Sequence, residues 1–160
     1  FTNLSADYNF SKALSASFNY RFINKRLVDG YYQVRQRVYL DVAYKYKHKD
    51  FAVTLRTRIQ DQMIDALNPE KKYPSSWYWR NKLLFKYNLK EFDPYIYTEI
   101  FCPLNGPDAM IINNVRLAAG CDYSITKKHT LNFYYLINKE VNVSNPVTTF
   151  ITGIEYTYSF

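Results

Sequence analysis

Apolar and polar residues alternate with a period of two along nearly the whole chain, the pattern of strands whose two faces meet different surroundings. The alternation predicts nine strands, over 2–11, 13–24, 31–47, 51–63, 76–89, 94–102, 111–125, 129–139 and 147–160. One phase carries Leu4, Tyr8 and Phe10, then Phe18, Tyr20 and Phe22, then Val38, Leu40, Val42 and Tyr44. It continues through Val53, Leu55 and Ile59, Leu83 and Phe85, Ile96 and Ile100, Leu117, and Phe133 and Tyr135. This phase is expected to hold no Asp, Glu, Lys or Arg. The opposite phase collects Ser and Asn together with Arg35, Arg37, Asp41, Arg56, Arg58, Arg80, Lys82, Lys86, Glu99, Arg116, Asp122 and Glu155. The strands exceed the common globular length of about 5–6 residues. They match the roughly 9–11 residues that cross a bilayer at a tilt.

Such a two-faced meander closes in one of two ways. A lipocalin-like barrel turns the apolar phase inward around a ligand. A membrane barrel turns it outward to lipid and packs the polar phase inside. Three features predict the second. Aromatics gather near strand ends on the apolar phase, as in Tyr44/Tyr46 and Tyr156/Tyr158/Phe160. Ser5, Ser15, Ser17, Asn19, Gln60 and Gln62 suit a filled polar lumen. Connections alternate short (11–12, 48–50, 90–93, 126–129) and long (25–30, 64–75, 103–110, 140–146), as periplasmic turns and surface loops do. The long ones hold the breakers Asn68-Pro69, Tyr73-Pro74 and Asn105-Gly106-Pro107. The final run Phe150-Ile-Thr-Gly-Ile-Glu-Tyr-Thr-Tyr-Ser-Phe160 ends on an aromatic and resembles the C-terminal strand of bacterial outer-membrane barrels. The expected fold is therefore all-β, a single antiparallel transmembrane β-barrel domain over 1–160. Nine strands break the even count of single-chain bacterial barrels. One further strand before Phe1 is expected, making about ten when intact. No signal peptide is visible at the start.

Composition agrees with this picture. Aromatics are 19% of 160 residues, with 17 Tyr and 11 Phe, though mean hydropathy is only −0.39. Tyr, with an apolar body and a polar tip, suits a membrane interface. No apolar run approaches the roughly 18 residues of a membrane helix. The net charge of +7 raises nucleic acid as a partner, but the charges form no run or helical stripe, so nucleic acid is set aside.

The inward charges have a structural and a functional explanation. Buried charges in a narrow lumen must be paired. Hairpin register places Asp41 opposite Arg56 or Arg58, and Glu99 near Lys82, Lys86 and, on the other side, Arg116. It also puts Gly120 and Gly153 beside Tyr134, small residues making room for a ring. Basic residues outnumber acidic ones inside, so an anion path is the alternative. Enzyme signals are poor. His48 and His129 stand at short turns, and no phosphate loop, nucleotide fingerprint or zinc pattern is present, so no cofactor or metal is expected. Cys102 and Cys121 fall at opposite ends of neighbouring strands, too far apart for a disulfide. Trp77 and Trp79 read as interface-belt residues beside the 64–75 connection.

Several short stretches carry a family resemblance: Arg35-Gln-Arg37, Arg56-Thr-Arg58, and Trp79-Arg80-Asn-Lys-Leu-Leu-Phe-Lys-Tyr-Asn-Leu89. Asp93-Pro94-Tyr95-Ile-Tyr-Thr-Glu99-Ile-Phe101 and Asn114-Val-Arg116 before a Gly-containing strand belong to the same set. In these the chain is similar to a family of uncharacterised outer-membrane barrels of Bacteroidota, a domain of unknown function with paired inward arginines. The resemblance implies a barrel in the bacterial outer membrane and no mechanism. The expected role is a non-enzymatic structural or accessory component of a larger membrane complex, with the lipid bilayer and other outer-membrane proteins as partners. The alternative is a small anion-permeable channel.

Overall fold

A computed structural model describes residues 2–26, 30, 32–64 and 75–159. Nine strands follow one another: β1 (Thr2–Asn9), β2 (Leu14–Arg26), β3 (Tyr32–His48), β4 (Phe51–Ile64), β5 (Ser76–Tyr87), β6 (Phe92–Pro103), β7 (Asn114–Ser124), β8 (His129–Glu140) and β9 (Thr148–Tyr158). Each pairs antiparallel with the next in a single meander, and no helix is present among the described residues. All nine expected strands are present, with ends shifted by at most a few residues. Phe1, residues 27–29 and 31, most of the 64–75 connection with its Asn68-Pro69 and Tyr73-Pro74, and Phe160 lie outside the described residues.

Short-range chemistry closes the tight turns. Ser11 Oγ accepts hydrogen bonds from the Ala13 and Leu14 amides. Thr126 Oγ1 does the same for Lys128 and His129, and Asp93 Oδ1 for Leu89. Such side chains mimic a backbone turn. The β3–β4 hairpin turns on Lys49 and Asp50 alone, with Lys49 at φ 49°, the twist that matches two-residue hairpins.

The sheet curls toward its charged face. Inward side chains two strands apart touch: Tyr39 on β3 donates to Asn3 on β1, Arg56 on β4 to Glu99 on β6, and Lys86 on β5 to Asp122 on β7. Contacts that skip a strand require that face to be concave. Burial follows the same division. Asn19, Asp41, Gln60, Arg80 and Glu99 are buried, while Leu40, Leu117 and Phe133 remain 44–48% exposed. The usual distribution of a soluble domain is thus reversed. The edge strands β1 and β9 do not pair with each other, so the sheet is an open half-barrel. Both edges are exposed along nearly their whole length.

Three charges break the expected purity of the apolar phase. Register places Arg26, Asp61 and Lys139 on the outward face, opposite Tyr32, Val38 and Val115. All three sit within the last few residues of their strands at the long-connection end. Asp61 lies between Val38 and Trp77 and Lys139 beside Val115, so these charges border the apolar band at its edge.

The two inward glycines are explained by close approach, with one correction to the expected packing. Tyr134 lies opposite both Gly120 and Gly153 in register, but its ring covers only Gly153. Tyr95, from β6, covers Gly120. A Cβ at Gly120 would stand 2.5 Å from the Tyr95 hydroxyl and 2.6 Å from the Phe133 carbonyl oxygen. The carbonyl belongs to the ladder and cannot step aside. Gly120→Ala is expected to destabilise the fold by about 1–3 kcal/mol, the usual cost of overpacking. Changing Tyr95 to Ala in the same chain should recover only part of it, because the carbonyl clash remains. A denaturant titration of the two variants measures both effects, and an unchanged midpoint for Gly120→Ala would show that the strands separate easily there.

Candidate functional site

The inward face divides into two cavities with a layer of ion pairs between them. The layer centres on Glu99, whose side chain is 3% exposed. Its Oε1 accepts from Arg56 Nη2 at 2.5 Å and from Arg80 Nε and Nη2 at 3.1 and 2.9 Å. Its Oε2 lies 3.6 Å from Arg116 Nη1. Beside this knot, Asp41 takes both nitrogens of the Arg58 fork at 2.6 and 2.7 Å, the bidentate geometry that guanidinium favours. The Arg58 guanidinium lies 3.8 Å from the centre of the buried Tyr39 ring. Tyr39 is held in turn by Asn3 and by Arg21.

Some expected partners are found, Arg58 for Asp41 and Arg116 for Glu99, and others differ. Asp41 pairs with Arg58, its neighbour in register, and Arg56 turns to Glu99. Lys82 stands opposite Glu99 in register, yet its Nζ sits 3.7 Å from the centre of the Tyr97 ring. Three guanidiniums already occupy the Glu99 carboxylate, and the ring face offers the lysine a second attraction. Lys86 does not reach Glu99. It pairs with Asp93 at 3.0 Å and Asp122 at 2.7 Å, nearer the short turns. Glu155 is exposed on the open edge strand and makes no ion pair among the described residues. Arg35 bonds Gln33 at the far rim. The network foreseen over the lumen is therefore a central knot and a lower cluster, with Arg35, Arg37 and Lys82 outside both and Glu155 on the lower cavity wall without an ion pair among the described residues.

The upper cavity, about 400 Å³, opens at the long-connection end. Arg21, Arg37, Arg58, Arg80 and Arg116 line it with Gln60, Gln62, Asn113, Asn114 and Asn138. The alternation marked Arg37, Arg58, Arg80 and Arg116 but not the asparagines, which lie at strand ends where the period fades. The lower cavity, about 330 Å³, lies toward the short turns between Lys82, Lys86, Tyr95, Tyr97, Asp122 and Asn132. Asn132 joins Asp122 to the Tyr95 hydroxyl.

Outside these cavities little chemistry is assembled. His129 sits against the rings of Tyr156 and Tyr158 at a turn. Cys102 and Cys121 are free thiols, as their positions implied. No group of His, Cys, Asp and Glu suited to a metal ion occurs among the described residues.

No curated protein matches the chain. A family model described as "Protein of unknown function (DUF2490)" matches residues 1–148, which takes in eight complete strands and the whole lining of the upper cavity. The chain belongs to the DUF2490 family.

Proposed function

We propose that the chain is a transmembrane β-barrel of the bacterial outer membrane, about ten strands when closed, serving as a non-enzymatic structural or accessory component of a larger membrane complex. The observation that carries this reading is the inversion of burial: an exposed apolar band crosses the outward face while ion pairs fill the inside. In water, an apolar surface of this extent marks an interface. In lipid it is the ordinary outer wall of a barrel. Outward Tyr44, Tyr46 and Phe51 at one end, and Trp77 and Trp79 at the other, fit the aromatic belts of a bilayer. The outward charges Arg26, Asp61 and Lys139 stand at the edge of that band nearest the long connections. A Bacteroidota source belongs to the same reading and rests on the likeness carried by the Arg35–Arg37 and Arg56–Arg58 pairs.

Lipid also demands that the free edges be covered, because unpaired backbone groups are costly there. In a nine-strand meander β1 and β9 run in the same direction. Closure with antiparallel neighbours on both sides therefore takes an odd number of added strands, and one suffices. The role in a complex draws on the outward face itself. Thr57 and Asn81 face each other across β4 and β5, where Trp79 Nε1 donates to Thr57 at 2.8 Å, and Thr98 interrupts the apolar face of β6. Polar groups on a lipid-facing wall favour contact with another protein over hydrocarbon.

Fractionation of native cells followed by gel mobility tests the reading. The expected result is an outer-membrane protein whose mobility shifts on boiling and which migrates with companions after mild detergent extraction. A detergent-free soluble protein with no shift would overturn the barrel, and a solitary monomer would overturn the complex. The channel reading has one observation behind it, the two cavities on the inward face. The Glu99 knot stands between them, so planar bilayers should show no conductance. Anion conductance abolished by Arg37→Ala and Arg58→Ala would make the channel the better account.

A further inference from the structure

The upper cavity carries more positive charge than its neighbours neutralise. In register Arg21 stands opposite Arg37, and Arg58 opposite Arg80. Like charges directly across a strand pair destabilise it. Asp41 compensates Arg58, and Glu99 compensates Arg80 and Arg116. Glu140, the one acid on the cavity wall, accepts from the Val147 amide of the 141–147 connection. Arg37 makes no ion pair among the described residues. Its Nη2 donates to Gln62, and its Nε is buried without a hydrogen-bond partner.

A second observation points the same way. Five buried side-chain polar atoms lack a partner among the described residues, and three of them line this cavity: Arg37 Nε, Asn113 Oδ1 and Asn114 Oδ1. Buried polar atoms are rarely left unmatched in a native fold. An orphan guanidinium donor and two orphan amide oxygens on the wall of one cavity ask for a molecule with an oxyanion at one point and hydroxyl donors at another. The volume of about 400 Å³ lies within the roughly 300–1,000 Å³ of small-molecule sites.

We infer that the upper cavity binds an acidic sugar, phosphorylated or carboxylated, with Arg37 gripping the oxyanion and Asn113 and Asn114 accepting from its hydroxyls. The guanidinium fork matches phosphate and carboxylate oxygens in pairs. Gln62 accepts from Nη2 and holds the Arg37 guanidinium on the cavity wall. The site needs only the inward face of the curled sheet, so it holds whether or not the outer face meets lipid.

Isothermal titration of the full chain in a non-ionic detergent tests the inference, with glucose 6-phosphate, glucuronate and neutral glucose as probes. Saturable binding of one of the two acidic sugars is expected, weakening as salt rises, with none of glucose. Arg37→Gln should weaken it at least tenfold without lowering the unfolding midpoint. Asn114→Ala should weaken the acidic sugar while sparing inorganic phosphate, which has no ring hydroxyls to lose. No saturable binding of either acidic sugar, or equal binding by wild type and Arg37→Gln, would overturn the proposal. A free sugar anion and the phosphorylated sugar head of a lipid share this chemistry. Repeating the titration with a phosphorylated disaccharide, first without and then with acyl chains, separates them: a gain from the chains identifies the lipid head, and no gain a free solute.

Discussion

Glu99→Ala is expected to lower the stability of the fold by about 3–5 kcal/mol, the loss seen when one member of a buried ionic cluster is removed. Glu99 is only 2% exposed, and one carboxylate serves Arg56, Arg80 and Arg116 at once. Its removal leaves the Arg80 Nε and Nη2 hydrogen bonds unmade and three cations facing one another. Uncompensated charge is what makes the loss large, and that separates this account from a simple cavity. Glu99→Gln keeps an acceptor of the same shape and should fall between wild type and alanine. Replacing Glu99, Arg56 and Arg80 together by leucine and methionine should recover much of the loss, since an apolar layer of similar volume often equals a buried ion pair. Urea unfolding in detergent, followed by Trp77 and Trp79 fluorescence, measures all three. An alanine variant within about 0.5 kcal/mol of wild type, the range of an ordinary surface change, would mean that water reaches the knot.

The strands were legible because period-two alternation depends only on neighbours along the chain. Leu40 and Asp41 take opposite faces whatever the rest of the protein does. Hairpin register was nearly as legible where the turn is short. The two residues Lys49 and Asp50 fix Asp41 against Arg58. Beyond the adjacent strand the sequence loses its hold. Whether Arg56 turns to Asp41 or reaches across β5 to Glu99 depends on how tightly the sheet curls, and curling is a property of nine strands together. Gly120 faces a tyrosine on each neighbouring strand in register, Tyr95 and Tyr134, and register does not decide that Tyr95 is the one that covers it. Lys82 shows competition rather than distance: it faces Glu99 but finds that carboxylate filled. Asn113 and Asn114 were missed as cavity residues because β7 begins at Asn114, later than the alternation over 111–125 implies, so the period did not place Asn113 on the inward face. Arg26, Asp61 and Lys139 were missed for the converse reason. A strand's period continues past the point where its outward face must be apolar.

Leu40→Arg tests what the outward face touches. Leu40 is the middle residue of the 17-residue β3, is 48% exposed, and lies between Phe18 and Ile59 in register. In lipid, an arginine at the midplane of a barrel wall costs about 2–4 kcal/mol, and near the interface only about 0–1. The same strand supplies the control, for Tyr46 faces outward six residues nearer the short-turn end. Leu40→Arg should therefore unfold in phospholipid vesicles at clearly lower denaturant than wild type, and Tyr46→Arg almost with it. The gradient between the two positions is the informative quantity. Loss of packing by itself gives no reason for the cost to follow depth, because both side chains are about half exposed. In water both substitutions would fall within about 0.5 kcal/mol of wild type, as exposed changes usually do. Two flat responses would thus remove the bilayer from the account and leave the exposed band to be covered by protein instead.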